Sequence, residues 1–159
     1  MVERSRNSGQ RKDMSVPFKK MDYLEFLKTK IEIAPESGFE IELGKINKAL
    51  LPHQRDAVAW ALKGGRRALF ESFGLGKTVQ ELEFCHQAAA HEGGRALIVL
   101  PLGVKQEFTR DAVELLGYEK PEYCRTMEEV EQSESEIVIT NYERVRDGDI
   151  KPDYFKATS

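Results

Sequence analysis

Cysteine is scarce in this sequence: only Cys85 and Cys124 occur among 159 residues, too few for a disulfide framework. No apolar run approaches the roughly 20 residues of a membrane-spanning helix, and the N-terminus lacks the apolar stretch of a secretory leader. A reducing, cytoplasmic setting with no membrane partner is the expectation. Cys85, His86 and His91 fall in or near one predicted helix, but no further Cys or His pair completes a four-ligand zinc site. No serine or cysteine has a recognisable base partner, so covalent hydrolase chemistry is not indicated. An excess of positive charge is also lacking. The chain has 24 Lys and Arg against 27 Asp and Glu, for a formal net charge of −3, so it bears no overall basic footprint.

What is present is the composition of an ordinary folded domain, 40% hydrophobic and 32% charged. The charge is uneven. Residues 1–20 carry Arg4, Arg6, Arg11, Lys12, Lys19 and Lys20 against Glu3 and Asp13. This arm reads as a flexible solvated tail, with phosphate contact as the alternative. Residues 21–48 form an accessory N-terminal extension. There Leu24, Leu27 and Ile31 predict an amphipathic helix over 21–32, and the alternation of Phe39, Ile41 and Leu43 with acids predicts a half-buried strand.

From residue 49 onward helical and strand patterns alternate, which predicts an α/β fold with a parallel sheet covered on both faces. Helices are expected over Gln54–Leu62 and from Lys77 to about Ala90, and strands over Arg67–Glu71 and Arg95–Leu100. A further helix presents Val104, Phe108, Ala112 and Leu115 on one face and ends at Gly117. A weak strand over Glu122–Arg125, a short acidic helix and a buried strand over Glu136–Thr140 follow.

The strongest chemical signal, Glu71-Ser72-Phe73-Gly74-Leu75-Gly76-Lys77-Thr78, lies where a predicted strand gives way to a helix. Gly74 and Gly76 can take positive φ, which lets the backbone amides of Ser72 to Gly76 close around phosphate oxygens at a helix N-terminus. Lys77 would meet the β- and γ-phosphates, and the Thr78 hydroxyl would bind the Mg²⁺ that bridges them. Glu71 stands where the full GxxxxGK[ST] pattern has its first glycine.

An acid followed by two residues and Gly-Leu-Gly-Lys-Thr resembles the first motif of Swi/Snf-type helicase-like ATPases. Leu51-Pro52-His53-Gln54, with Gln54 placed 23 residues before Lys77, resembles the signature that precedes the loop in those motors. The resemblance spans about residues 51–155 and implies a partial RecA-like three-layer lobe, a P-loop NTPase fold that binds ATP with Mg²⁺. It implies that Gln54 reads adenine, as a carboxamide can through one donor and one acceptor. It also implies nucleic-acid contact, with DNA favoured over RNA, by the loop at Pro101, Leu102 and Lys105 and by the strand end at Thr140 and Tyr142. The leading helix followed by Ala34-Pro35 and Gly38-Phe39 further resembles phage-associated DEAD/DEAH-box helicases.

Such motors need an apolar strand ending in Asp-Glu and a second RecA-like lobe with an arginine finger, and neither follows Thr140. The expectation is therefore a fragment that binds nucleotide and hydrolyses it poorly, since an arginine finger alone supplies a factor of ~10³ to 10⁵. The alternative is a non-catalytic nucleotide-binding or partner-docking module.

Overall fold

A computed structural model of the chain describes residues 35–159. The basic arm and the helix expected over 21–32 lie outside the described residues. The described region is α/β. Four parallel strands, β1 (Ala96–Val99), β2 (Glu122–Tyr123), β3 (Ile137–Thr140) and β4 (Ala157–Thr158), form one sheet in the order β2-β3-β1-β4. The central pair is in register from Ala96 opposite Ile137 to Val99 opposite Thr140.

Alternation along these strands builds two cores. Ala96 and Ile98 of β1 and Ile137 and Ile139 of β3 turn to one face, where they meet α1 (Pro52–Gly64), α2 (Lys77–Glu92) and α3 (Lys105–Arg110). Leu97 and Val138 turn to the other, with Val130 of α4 (Met127–Gln132), Ile150 and Phe155. Burial on both faces explains why β1 and β3 are apolar throughout. A fifth short helix, α5, spans Tyr142–Arg146. Among the described residues no helix is long and apolar enough to cross a membrane.

Three expected elements differ. Phe39–Leu43 is not a strand: the amides of Ser37, Gly38 and Phe39 instead donate to the carbonyls of Gly64, Lys63 and Leu62 at the end of α1. Those carbonyls have no partner inside the helix, so the segment caps α1. Gly38 makes the approach possible, because a Cβ there would collide with the Leu62 carbonyl. Arg67–Glu71 has the in-and-out burial of a strand but pairs with no other strand among the described residues. Its neighbour in space would be β4, whose outer side faces a cavity. Finally, α3 continues as a π-helical turn over Asp111–Leu115. This wider turn advances the buried face by one residue, so Leu116 is buried and Leu115 is 56% exposed.

Candidate phosphate loop and basic groove

The chain from Glu71 to Gly76 leads directly into α2. Gly74 (φ 81°) and Gly76 (φ 74°) both take left-handed backbone, and Gly76 is the N-cap residue of the helix. Gly76 is required twice, since a Cβ there would also strike the Gln54 carboxamide. Phe73 and Gly74 form a tight turn, and no backbone bond made outside the helices by the described residues has an amide from Phe73 to Lys77 as its donor at full hydrogen-bond geometry. N–H groups presented through glycine turns and the first turn of a sixteen-residue helix are a backbone arrangement able to receive an anion.

Lys77 occupies the first helical position, and its ammonium donates to the carbonyls of Glu71 (3.1 Å) and Ser72 (3.0 Å). Both acceptors are neutral, so phosphate oxygens can replace them with stronger, charge-assisted partners. Ser72, Phe73 and Leu75 project into solvent, and Thr78 sits half-buried one residue beyond Lys77. The Thr78 hydroxyl, at the helix start, could serve as a protein ligand to Mg²⁺, an ion that keeps waters and takes substrate phosphates for most of its shell. The donor set therefore fits a nucleotide-borne Mg²⁺ rather than a metal cage. No cluster of three or more His, Cys, Asp or Glu suited to a metal occurs among the described residues.

Glu71, the departure from a glycine, acquires a physical role. Its carboxylate accepts from Gln80 Nε2 at 2.8 Å, and the same amide reaches the Leu75 carbonyl at 3.2 Å. Gln80 is fully buried, so this contact fixes both ends of the loop against α2. Nothing in the spacing of Glu71 and Gln80 advertises the pairing. Gln54 braces the loop from the other side. Its Nε2 donates to the Leu75 carbonyl at 2.9 Å and its Oε1 accepts from the Leu51 amide at 2.8 Å. Both ends of the carboxamide are thus engaged with protein. Gln54 also lines a cavity of about 300 Å³ with Ala49, Leu51, Gly76, Val79 and Leu116, a small, largely apolar recess beside the phosphate loop.

The expected nucleic-acid residues divide. Pro101, Leu102 and Tyr142 are exposed, and Lys105 begins α3. Thr140 does not belong with them. It is fully buried and its hydroxyl donates to the Cys124 carbonyl at 2.8 Å, tying β3 to β2. Removing that hydroxyl in Thr140→Val leaves a buried carbonyl unpaired. The expected cost is about 1–2 kcal/mol in chemical denaturation, with no change in nucleic-acid affinity.

Basic side chains gather elsewhere on the surface. Two cavities of about 620 and 560 Å³ share a wall formed by Lys105, Gln106 and Tyr123. Arg110 and Lys120 line the first, and Arg125 and Arg144 the second. Lys105 Nζ lies 4.7 Å from the centre of the Tyr123 ring, whose hydroxyl donates to Asn141 Oδ1 at 2.9 Å. Arg110 and Arg144 pair with Asp111 and Asp149, whereas Lys105, Lys120 and Arg125 form no ion pair among the described residues. In a chain of net negative charge this is a local basic groove. Sequence reading missed it because its cations come from four separate segments.

Neither cysteine is a nucleophile. Burial pushes the Cys85 thiol far above its ordinary range and the Cys124 thiol up to about 11, so neither forms thiolate near neutral pH. No protein-family model matches the chain, and no curated protein matches it.

Proposed function

We propose that this chain is the MgATP-binding, RecA-like lobe of a helicase-like motor and that its basic groove holds nucleic-acid phosphates. One observation carries the nucleotide reading: a glycine-turned loop whose amides have no acceptor among the described residues leads into a helix whose first residue, Lys77, has only neutral carbonyls for its ammonium. Phosphate is the ligand that satisfies both. Ser72 to Gly76 would wrap the β- and γ-phosphates, Lys77 would neutralise them and Thr78 would contribute to Mg²⁺. The small recess at Gln54 and Gly76 would take the base. Gln54 would serve first as the brace of the loop, and it reads adenine only if its bond to Leu51 or Leu75 is exchanged.

Calorimetric titration of the full chain with MgATP tests this, with phosphate release followed in the same samples. One binding event and release at background are expected; the absence of heat and of competition by MgADP, in a chain shown to be folded, contradicts the reading. Hydrolysis is expected to stay low because no strand ending in an acid pair stands beside the loop among the described residues.

The nucleic-acid part has its own measurement. Lys105→Ala and Arg125→Ala should each weaken duplex DNA binding and each reduce the slope of log K against log salt by about 0.9, the value for one lost phosphate contact. MgATP affinity should not change. An unaltered salt slope in both variants places the contact elsewhere.

A further inference from the structure

A buried carboxylate lines the recess beside the phosphate loop. Asp111 shares that cavity of about 300 Å³ with Leu51, Gln54, Gly76, Val79 and Leu116. It is 6% exposed and lies among the buried positions Phe108, Ala112 and Leu116, where an apolar side chain is the ordinary occupant. Its Oδ1 accepts from Nε and Nη2 of Arg110 at 3.0 and 2.8 Å, whereas Oδ2 accepts no hydrogen bond among the described residues. The Arg110 side chain is itself exposed, so this pair offsets little of the cost of burying the carboxylate.

The backbone places Asp111 there by a local device. Asp111 begins the π-helical turn, and its carbonyl accepts from the Leu116 amide at 3.1 Å. In a regular α-helix residues five apart point about 140° away from each other. The wider turn brings Asp111 and Leu116 to one side, where both line the recess. Single turns of this kind recur at functional sites.

The open oxygen calls for a donor. Leu51, Val79 and Leu116 offer apolar walls that suit the faces of a ring, and the volume lies at the lower end of ligand cavities, room for a base rather than a whole nucleotide. An ionised carboxylate only accepts hydrogen bonds, so it favours a ring amine and repels a ring carbonyl. Gln54, the other polar side chain of the recess, already has both ends of its carboxamide bonded to Leu51 and Leu75.

We propose that Asp111 selects the base: its Oδ2 accepts from the exocyclic amine of a 6-aminopurine held in the recess, while Gln54 holds the loop. This rests on the nucleotide reading of the loop, because Gly76 belongs to both loop and recess and one nucleotide would span them.

MgATP and its inosine analogue, MgITP, are titrated calorimetrically into the full chain and into its Asp111→Asn and Gln54→Ala variants. The two ligands share ribose and triphosphate, and inosine carries a carbonyl in place of the amine. The native chain should bind MgITP at least ~10-fold more weakly, since a hydrogen bond to a charged group is lost. Asp111→Asn should bring the two affinities within ~3-fold, because a carboxamide offers the inosine carbonyl a donor. Gln54→Ala should weaken both ligands and keep their ratio. Loosening of the loop lowers both affinities together, so the ratio separates base selection from a structural role.

A second measurement needs no variant. In amide NMR of the native chain, magnesium triphosphate without a nucleoside should shift the loop amides and leave those from Asp111 to Leu116 unmoved, whereas MgATP shifts both sets. Equal affinity of the native chain for MgATP and MgITP overturns the proposal and leaves the phosphate site standing; a carboxylate bound to the ribose would give that result. An unchanged ratio in Asp111→Asn also overturns it. If neither nucleotide nor triphosphate binds, the loop reading fails and the proposal fails with it.

Discussion

Lys77→Ala is expected to weaken MgATP binding at least ~30-fold, which corresponds to loss of a charged hydrogen-bonding partner worth about 2 kcal/mol. The lysine now holds only the Glu71 and Ser72 carbonyls, and Ser72 is exposed, so water can take its place when the ammonium is removed. Thermal stability should therefore change little. That combination separates a ligand-binding lysine from a structural one: a residue needed only to hold the loop would lower the melting temperature as well. Lys77→Arg should also bind poorly, because a planar fork does not reproduce the compact charge of an ammonium inside a tight backbone turn. Calorimetry at matched temperature reads both variants, and unchanged MgATP affinity in Lys77→Ala removes the phosphate loop as the site.

The largest effect on stability is expected at Glu83. This carboxylate is fully buried in α2, where it accepts from the Asn47 amide (3.0 Å), from Gln87 Nε2 (2.9 Å) and from the Tyr118 hydroxyl. Asn47 continues the tether through its own Nδ2, which donates to the Leu116 carbonyl at 2.8 Å. One side chain thus joins the segment before α1, helix α2 and the chain leaving the π-helical turn. Burial, followed by the bond to Glu83, raises the Tyr118 phenol well above its ordinary range, so it remains a donor across the working pH range. Glu83→Ala strands these donors and opens a cavity, at an expected cost of about 3–5 kcal/mol. For a domain of this size that lowers the melting temperature by roughly 10–20 °C. Glu83→Gln should recover part of the loss, since its carbonyl oxygen still accepts. A decrease of less than about 1 kcal/mol in Glu83→Ala would show that the tether is not holding these segments.

The Glu83 tether also shows where sequence reading reached its limit. Helices α1 and α2 and strands β1 and β3 were legible because each is long or uniformly apolar, and in each the local pattern agrees with the final packing. Other signals were real but had another use. The alternation at Phe39–Leu43 resembles a strand, yet the preceding amides cap the end of α1. Arg67–Glu71 alternates as a strand should, but pairing depends on a neighbour that spacing cannot specify. A constant 3.6-residue period puts Leu115 inside, and the π-helical turn breaks that period. Strand β4, two residues of mixed character, gave no pattern to read.

The candidate site divided along the same line. Contiguous residues from Ser72 to Thr78 could be read together because their chemistry depends on adjacency and on glycine backbone freedom. Thr140 misled because exposure cannot be read from a strand end; its hydroxyl turns inward to the Cys124 carbonyl. The Glu71–Gln80 contact and the convergence of Lys105, Lys120 and Arg125 required folding to bring distant positions together. Gln54 lies between these cases: its closeness to the loop was legible from the motif, while its double engagement with Leu51 and Leu75 was not.

The most direct measurement of the central claim is a two-dimensional amide NMR titration of the full chain with MgATP, compared with adenosine alone. Phosphate binding by the loop should shift the amides of Phe73 to Val79 strongly with MgATP and leave them nearly unmoved with adenosine. Shifts centred elsewhere, or equal shifts with both ligands, would contradict the assignment of this loop as the nucleotide-phosphate site.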